Sequence, residues 1–456
     1  MINSAESVAD IQLVWLILAA LLVFFMRAGF MALEAGLTQR KHNINVAAKN
    51  LADFGIVVIL FWLFGFGLMF GEDSSTGGLI GTNFLYLDFL NSTEASTTDL
   101  FSITSFFLFQ VMCCGIAVTI VSGATAERIR FESYLIIVIV ISSVIYPIFG
   151  HWAWGGFIQG ARSGLLSQIG FVDFAGATVV HSIGGWCALT TVFMLGPRRG
   201  SFYADGNPRP VGRANLPLAV LGMLVIWFGW FGFNSGISFL TGDNLELIIV
   251  NTLLAGAAGL VAIIPICVFF NDGIIEVNYL INGALAGLVA ISAGCHAVAP
   301  QHSIWIGFIS AWVMFTINWL LSKMKQDDPV GTISAHLGGG IWGTLAVALF
   351  GVPEILGTGL TWQMQIFVQL IGITVAGTWS LFVILIFLTV LRPILPLRVD
   401  VNDETIGLNI TEQRAIPDFS EFPGLEEALR PHYEQLLARY IRTQPQKSTQ
   451  NSPDSQ

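Results

Sequence analysis

Long apolar stretches alternate with short polar or Gly/Pro-rich breaks along most of the chain. Each stretch is close to the ~20 residues that an α-helix needs to cross a bilayer. Because backbone groups in lipid must be hydrogen-bonded within the protein, we interpret the stretches as transmembrane helices and not as strands of a barrel. The pattern predicts an all-α polytopic membrane protein with eleven spans, at residues 11–36, 48–71, 100–122, 132–150, 173–195, 215–239, 246–270, 279–297, 303–322, 331–350 and 362–391.

Basic residues between the predicted spans fall almost entirely on one side of the membrane. If the chain crosses eleven times, the Lys and Arg residues that follow spans one, three, five, nine and eleven share that side, and Arg162 is alone on the other. The positive-inside rule then places the N-terminus outside and the C-terminus in the cytoplasm. The loop 72–99 has five acidic residues and no basic one, which fits an outer loop.

The last 65 or so residues differ in composition from the rest. Residues 1–391 are predicted to form one transmembrane domain, and residues 392–456 a polar cytoplasmic tail. Within the tail, residues 423–444 carry an approximately helical apolar stripe that Pro431 interrupts, which indicates a short amphipathic helix. The end of the tail has the composition of a disordered segment.

Overall composition supports a protein embedded in a lipid bilayer. The chain is 54% hydrophobic and 11% charged, with a mean hydropathy of +0.72, whereas a soluble domain carries roughly 25% charged residues. No basic patch suggests nucleic acid, and the five cysteines lie in apolar stretches without metal-ligand spacing. We therefore expect no cofactor, no metal and no enzymatic activity.

Two copies of one motif stand in the two halves of the chain. Asp173 and His181 are followed by a glycine pair, and Asp328 and His336 repeat the spacing Asp-x7-His-x2-Gly-Gly 155 residues later. The copies begin predicted spans five and ten, so spans one to five correspond to spans six to ten. Because five is odd, the second copy crosses the membrane upside down, which predicts an inverted repeat of about 11–195 and 215–350 with span eleven left over. The glycine pairs are expected to let the histidine helices approach other backbones closely.

The inverted geometry also predicts where the two histidines lie. Each histidine comes eight residues after its aspartate, or about 12 Å along a helix, and half of a bilayer core is about 15 Å. His181 and His336 are therefore expected to meet near the midplane from opposite sides. A single buried histidine often serves packing alone, but an adjacent pair can share a proton and line a path for a small polar solute.

Other residues near the motif have two interpretations each. Asp173 is either a helix N-cap or a carboxylate that attracts a cation at the outer mouth. The aromatic residues of His151-Trp-Ala-Trp154-Gly-Gly and of Gly229-Trp230-Phe-Gly-Phe233-Asn-Ser-Gly236 form either an interfacial belt or a cage for a small cation.

Several of these motifs together resemble one family. GFMALEAG, GATAERIRF, HWAWGG, DFAGATVVH, GWFGFNSG and the DDP…H-x2-GG stretch occur in the order found in the ammonium transporter / methylammonium permease / Rhesus family, over about residues 11–412. The resemblance implies a homotrimer in the plasma or inner membrane whose subunits each recruit ammonium at an outer aromatic vestibule. The ammonium loses its proton there. Ammonia then crosses a narrow apolar pore lined by paired histidines, and the proton crosses by way of the same two histidines.

By this resemblance His181 and His336 are the paired histidines, Asp173 the outer acid, Trp154 the vestibule tryptophan and Phe233 a gate phenylalanine with Trp230 beside it.

Two positions depart from the usual bacterial pattern of the family. Cys113 stands where the second gate phenylalanine is expected, and Ile237 stands where a vestibule serine is expected. Phe109, one helical turn before Cys113, is the candidate to replace the missing ring. The resemblance also implies a PII-type regulatory protein as a partner of the cytoplasmic side.

Two alternatives remain beside an ammonium transporter. The departures at Cys113 and Ile237 and the extended tail also suit an ammonium sensor or transducer of the same family with little transport. A membrane cytochrome with His181 and His336 as haem ligands is a more remote alternative.

Overall fold

The computed structural model describes residues 4–72, 76–91 and 97–415, together with Glu434 and Ala438. Within these residues all regular secondary structure is helical, apart from two isolated β-bridges. The predicted amphipathic helix of the tail and the predicted disordered end fall outside the described residues, except for those two single positions.

Eleven apolar helices follow one another along the chain, as the sequence pattern predicts. Ten are long and apolar enough to cross a membrane, and the eighth is an apolar helix of 15 residues. We number them α1 (Ser4–Leu37), α2 (Asn43–Phe70), α3 (Thr97–Thr125), α4 (Phe131–Trp154), α5 (Ala177–Leu195), α6 (Leu216–Ser235), α7 (Leu245–Phe270), α8 (Val277–Ile291), α9 (Pro300–Lys323), α10 (Ile333–Phe350) and α11 (Trp362–Leu391).

The helix α8 is shorter than predicted because the chain leaves the helix after Ile291. The following residues form buried turns, and the Asn251 side chain donates to two of their carbonyls, those of Cys295 (2.9 Å) and Val298 (2.8 Å). The carbonyl oxygens of Ser292 and Ala293 accept hydrogen bonds from backbone N–H groups of the segment that precedes α5. The early end of α8 therefore fixes the approach to the first histidine helix.

The two histidine helices touch through glycines. A Cβ atom built on Gly340 of α10 would lie 2.3 Å from the Ala177 carbonyl oxygen of α5, and one on Gly185 would lie 2.9 Å from the Leu337 Cα. Distances this short cannot accommodate a side chain, so small residues are required where α5 and α10 cross. The expectation drawn from the glycine pairs is confirmed at both positions.

A buried ion cluster joins the loops at one side of the protein, which we call the basic face and define as the loops after α1, α3, α5 and α9. The Arg198 guanidinium lies 2.6 Å from a Glu127 carboxylate oxygen and 2.6 Å from one of Asp327. Burial alone raises the pKa of both carboxyls, but the charge of Arg198 and the hydrogen bonds to them bring the net pKa below the usual range. Because Glu127 lies in the first repeat, Asp327 in the second and Arg198 in the loop between them, this cluster connects the two halves.

The first part of the tail folds back on the same face. The Leu408 N–H donates to His42 Nδ1 (3.2 Å), and the Asn409 side chain donates to the Arg40 carbonyl oxygen (2.9 Å). An ion pair between Arg398 and Glu404 (2.8 Å) holds the segment between them. The tail up to residue 415 is thus packed against the first loop of the chain.

Removing the buried cation should destabilise the protein far more than removing its exposed neighbour. Arg198→Gln leaves two buried carboxylates without their partner, which costs about 3–5 kcal/mol. Arg199→Gln is the matched control. The Arg199 side chain is 53% exposed and its ion pair with Glu404 is long, at 3.7 Å. An exposed ion pair of this kind is worth about 0–1 kcal/mol. Chemical unfolding in mixed micelles measures both, and equal losses in the two variants would contradict the assigned role of the cluster.

Candidate functional site

Each histidine helix is capped by the aspartate that precedes it. The Asp173 carboxylate accepts backbone N–H groups of Gly176 (3.0 Å), Thr178 (2.8 Å) and Val179 (2.8 Å). Asp328 accepts the corresponding groups of Gly331 (3.0 Å) and Ile333 (2.7 Å) at the start of α10. Charge-assisted bonds of this kind satisfy the first N–H groups of a helix, which have no partner inside it. The capping interpretation of Asp173 therefore fits the geometry, and Asp328 caps its helix in the same way.

Both histidines lie in a π-helical turn at the start of their helix. The turns are Ala177–Ser182 in α5 and Ile333–Gly338 in α10, and such turns occur frequently at functional sites. The helices begin four to five residues after the aspartates, so the prediction that each histidine stands eight helical residues from its aspartate is wrong in detail. A non-helical segment supplies part of that distance, because the aspartate must fold back to reach the free N–H groups.

The two imidazole rings are in direct contact. His181 Nδ1 and His336 Nδ1 are 3.2 Å apart, the ring centroids are 5.1 Å apart, and both side chains are fully buried. For one neutral ring to donate and the other to accept, the two rings must be opposite tautomers. One Nε2 is then an acceptor and the other a donor, and neither has a hydrogen-bond partner within the described residues.

Aromatic rings enclose this pair. Trp230 stacks on His181 with centroids 5.0 Å apart, and its indole N–H donates to Ser292 Oγ (3.0 Å). Phe233 also contacts His181 (5.3 Å), and Phe30 contacts His336 (5.8 Å). The two Nε2 atoms are therefore polar atoms without a hydrogen-bond partner in mainly apolar surroundings.

A cavity of about 140 Å³ lies beside the pair on the side of α5 where that helix begins, opposite to the basic face. Phe233 forms part of its wall and also contacts His181, so this ring separates the cavity from the histidines. The wall is mainly aromatic and consists of Phe70, Phe106, Phe109, Gln110, Cys113, Trp154, Phe157, Asp173, Phe174, Ala175, Phe233, Ile237 and Thr241.

The structure brings the nine residues predicted to bind the substrate or line the pore to this cavity or to the histidine pair. Trp154 is held in the wall because its indole N–H donates to the Asp173 carbonyl oxygen (2.6 Å). The Phe109 ring lies over Gly236, where an added Cβ atom would be 2.3 Å from it. Cys113 and Ile237 line the same space, with Cys113 buried and Ile237 half-buried.

Sequence reasoning missed two residues that the structure places here. Gln110 is a polar residue in the middle of the third apolar stretch, and buried polar residues in a membrane helix commonly mark a functional site. Phe30 contacts His336 from the second turn before the end of α1. Phe30 belongs to the GFMALEAG motif, but nothing in that motif indicates that its ring reaches a histidine of α10.

The direct contact of the rings does not fit a haem site. A bis-histidine haem requires an iron atom and its porphyrin plane between the two ligating nitrogens, but the Nδ1 atoms are at hydrogen-bond distance. Among the described residues no group of three or more His, Cys, Asp and Glu side chains is arranged to hold a metal ion.

Comparisons with known proteins agree on one family. The profile of the Ammonium Transporter Family matches residues 14–415. Ammonium transporter Amt2 of Archaeoglobus fulgidus is 39% identical over 440 residues, covering 91% of this chain and 92% of that protein. A solved structure titled "Sensor Amt Protein" is 38% identical, with a TM-score of 0.84, and covers 90% of this chain and 99% of its own. The structure of Candida albicans Mep2 is 25% identical, with a TM-score of 0.75, and covers 86% of this chain and 87% of its own. The chain therefore belongs to the ammonium transporter family.

Proposed function

We propose that this chain transports ammonium: the cation is recruited in the aromatic cavity, loses its proton there, and crosses as ammonia past the histidine pair while the proton follows the two rings. The observation that carries the proposal is the buried contact of His181 with His336 next to a cavity lined by aromatic side chains. Membership of the family supports it.

The cavity suits a small cation. Faces of Trp, Phe and Tyr attract a cation by about 0.5–2 kcal/mol per contact, and several rings surround the space. The space of about 140 Å³ is ample for one ammonium ion, because a water molecule needs only about 10–15 Å³ by the same measure. The aromatic residues therefore serve as a cage in this proposal, in addition to any role at the membrane interface.

The histidine pair suits ammonia better than ammonium. Carrying an unpaired charge through buried apolar surroundings costs far more than carrying a neutral molecule, so the proton leaves the ammonium before Phe233. Ammonia has N–H donors and one lone pair, and the opposite tautomers offer it one acceptor and one donor at Nε2. His181 Nε2 takes up the released proton, the hydrogen on His181 Nδ1 passes to His336 Nδ1, and His336 Nε2 gives up its own hydrogen. One ammonium entering thus gives one ammonia and one proton on the other side.

Further features of the proposal follow from the family resemblance. We propose a homotrimer in the plasma or inner membrane, with the basic face towards the cytoplasm as the positive-inside rule predicts. The packing of the tail up to residue 415 on that face offers a route by which a PII-type protein would act on the transporter. Crosslinking in native membranes and binding of a purified PII protein test these two points.

A sensor of ammonium is the second candidate function. The solved relative titled "Sensor Amt Protein" shares 38% of its residues with this chain, and Cys113 and Ile237 change the cavity wall relative to the usual bacterial pattern. Such a protein binds ammonium without appreciable conduction. Binding and current measured on the same preparation separate the two functions.

Loss of one histidine should abolish most conduction. In proteoliposomes with an imposed ammonium gradient, His181→Ala is expected to lower the ammonium-evoked current by about a hundredfold, the usual contribution of a positioned acid–base group. His302→Ala is the control, because His302 lies near Phe350 at the start of α9 and lines neither cavity nor pore. A normal current in His181→Ala would refute the proposal, and a wild type that binds ammonium without current would favour the sensor.

Restoring an aromatic face at position 113 should tighten the interaction with ammonium. Cys113→Phe is expected to lower the half-saturating ammonium concentration by about two- to thirtyfold, the range that one cation–π contact allows. Cys113→Ala controls for removal of the thiol. An unchanged half-saturation in Cys113→Phe would show that the rings already present complete the cage.

A further inference from the structure

One polar side chain in the cavity wall has an oxygen without a partner. Gln110, on α3, is 4% exposed, and its Oε1 accepts no hydrogen bond from any residue that the structure describes. Desolvating an acceptor without a partner is unfavourable, so buried amide oxygens are normally hydrogen-bonded. An exception in the wall of a cavity is available to accept a hydrogen bond from a molecule that enters the cavity.

The other polar side chains of the wall are already engaged. The Asp173 carboxylate accepts three backbone N–H groups, and the Trp154 indole donates to the Asp173 carbonyl oxygen. The Thr241 hydroxyl is bonded to Asp243 and to the carbonyl oxygens of Ile237 and Ser238. These groups already take part in hydrogen bonds within the protein, whereas Gln110 Oε1 takes part in none among the described residues.

Ile237 supplies no hydrogen-bond acceptor to the cavity. An isoleucine at this position presents only hydrocarbon to the cavity, and the neighbouring Ser238, although its hydroxyl is buried, does not line the cavity. Aromatic faces attract a positive charge but do not accept a directed N–H bond as strongly as an amide oxygen does. A dehydrated ammonium ion in this space therefore needs one oxygen acceptor to replace part of its hydration.

We infer that Gln110 Oε1 is the hydrogen-bond acceptor for ammonium in this cavity, and that it takes the place of the hydroxyl that Ile237 does not provide. The inference rests on the proposed function, because it names a residue of the proposed recruitment site. By this inference the amide oxygen makes the cavity selective for cations that carry an N–H donor. The rings around it supply attraction for charge alone.

The test measures binding of ammonium chloride to the purified full-length protein in detergent, by quenching of intrinsic tryptophan fluorescence. Gln110→Leu is expected to raise the dissociation constant about tenfold, the factor that corresponds to about 1.4 kcal/mol. Adding Ile237→Ser to Gln110→Leu should recover part of the loss, because it returns an oxygen to the opposite wall. Gln168→Leu is the matched control, since Gln168 is an exposed glutamine that donates to the Ser163 carbonyl oxygen and does not line this cavity.

Each outcome separates the inference from the proposed function. An unchanged dissociation constant in Gln110→Leu, with a normal wild-type current, would overturn the inference and leave transport intact. An equal loss in Gln110→Leu and Gln168→Leu would also overturn it, because the effect would then not be specific to the cavity. Recovery by Ile237→Ser excludes misfolding as the cause of the loss and supports the inference, even in a protein that binds ammonium without conducting it.

Discussion

The structure depends on one constraint: a polar group inside the bilayer needs a partner within the protein. Most of the chain obeys it through helical hydrogen bonds, and the exceptions at helix ends receive side-chain partners. Asp173 and Asp328 cap the two histidine helices, and Asn251 satisfies carbonyls beyond the end of α8. With these groups paired, the few polar atoms left without a partner near the cavity and the histidine pair stand out as sites for a solute.

The same constraint explains why the fold repeats itself. A helix can begin inside the membrane only where its first N–H groups are capped, and the aspartate eight residues before each histidine performs this task in both halves. In both helices the cap is followed by a π-helical turn that contains the histidine, as the fifth residue of the turn in α5 and the fourth in α10. Glycines then allow α5 and α10 to cross closely enough for the two rings to touch.

Much of this architecture was predictable, because it follows from apolar length and from the spacing of a few residues. The number and order of the helices and the pairing of His181 with His336 followed from the sequence pattern. The starts of α5 and α10 did not follow from the sequence pattern, because a run of apolar residues does not reveal that a non-helical segment precedes the helix. Gln110 was overlooked for a related reason: an isolated amide in an apolar stretch differs from a packing residue only in whether its oxygen finds a partner, and that is a property of the folded chain.

The contact between the two Nδ1 atoms has a consequence for the order of events. The repeats are symmetric, but a single shared hydrogen makes the two rings chemically different at any moment. When a proton enters at one Nε2 and leaves at the other, the shared hydrogen ends on the opposite ring, so the pair finishes each passage as the mirror image of its starting form. It must be reset before a second proton can travel in the same direction. If the proton crosses by the two rings as proposed, the pair passes one proton per cycle, and the time needed for the reset sets an upper limit on how fast charge can flow.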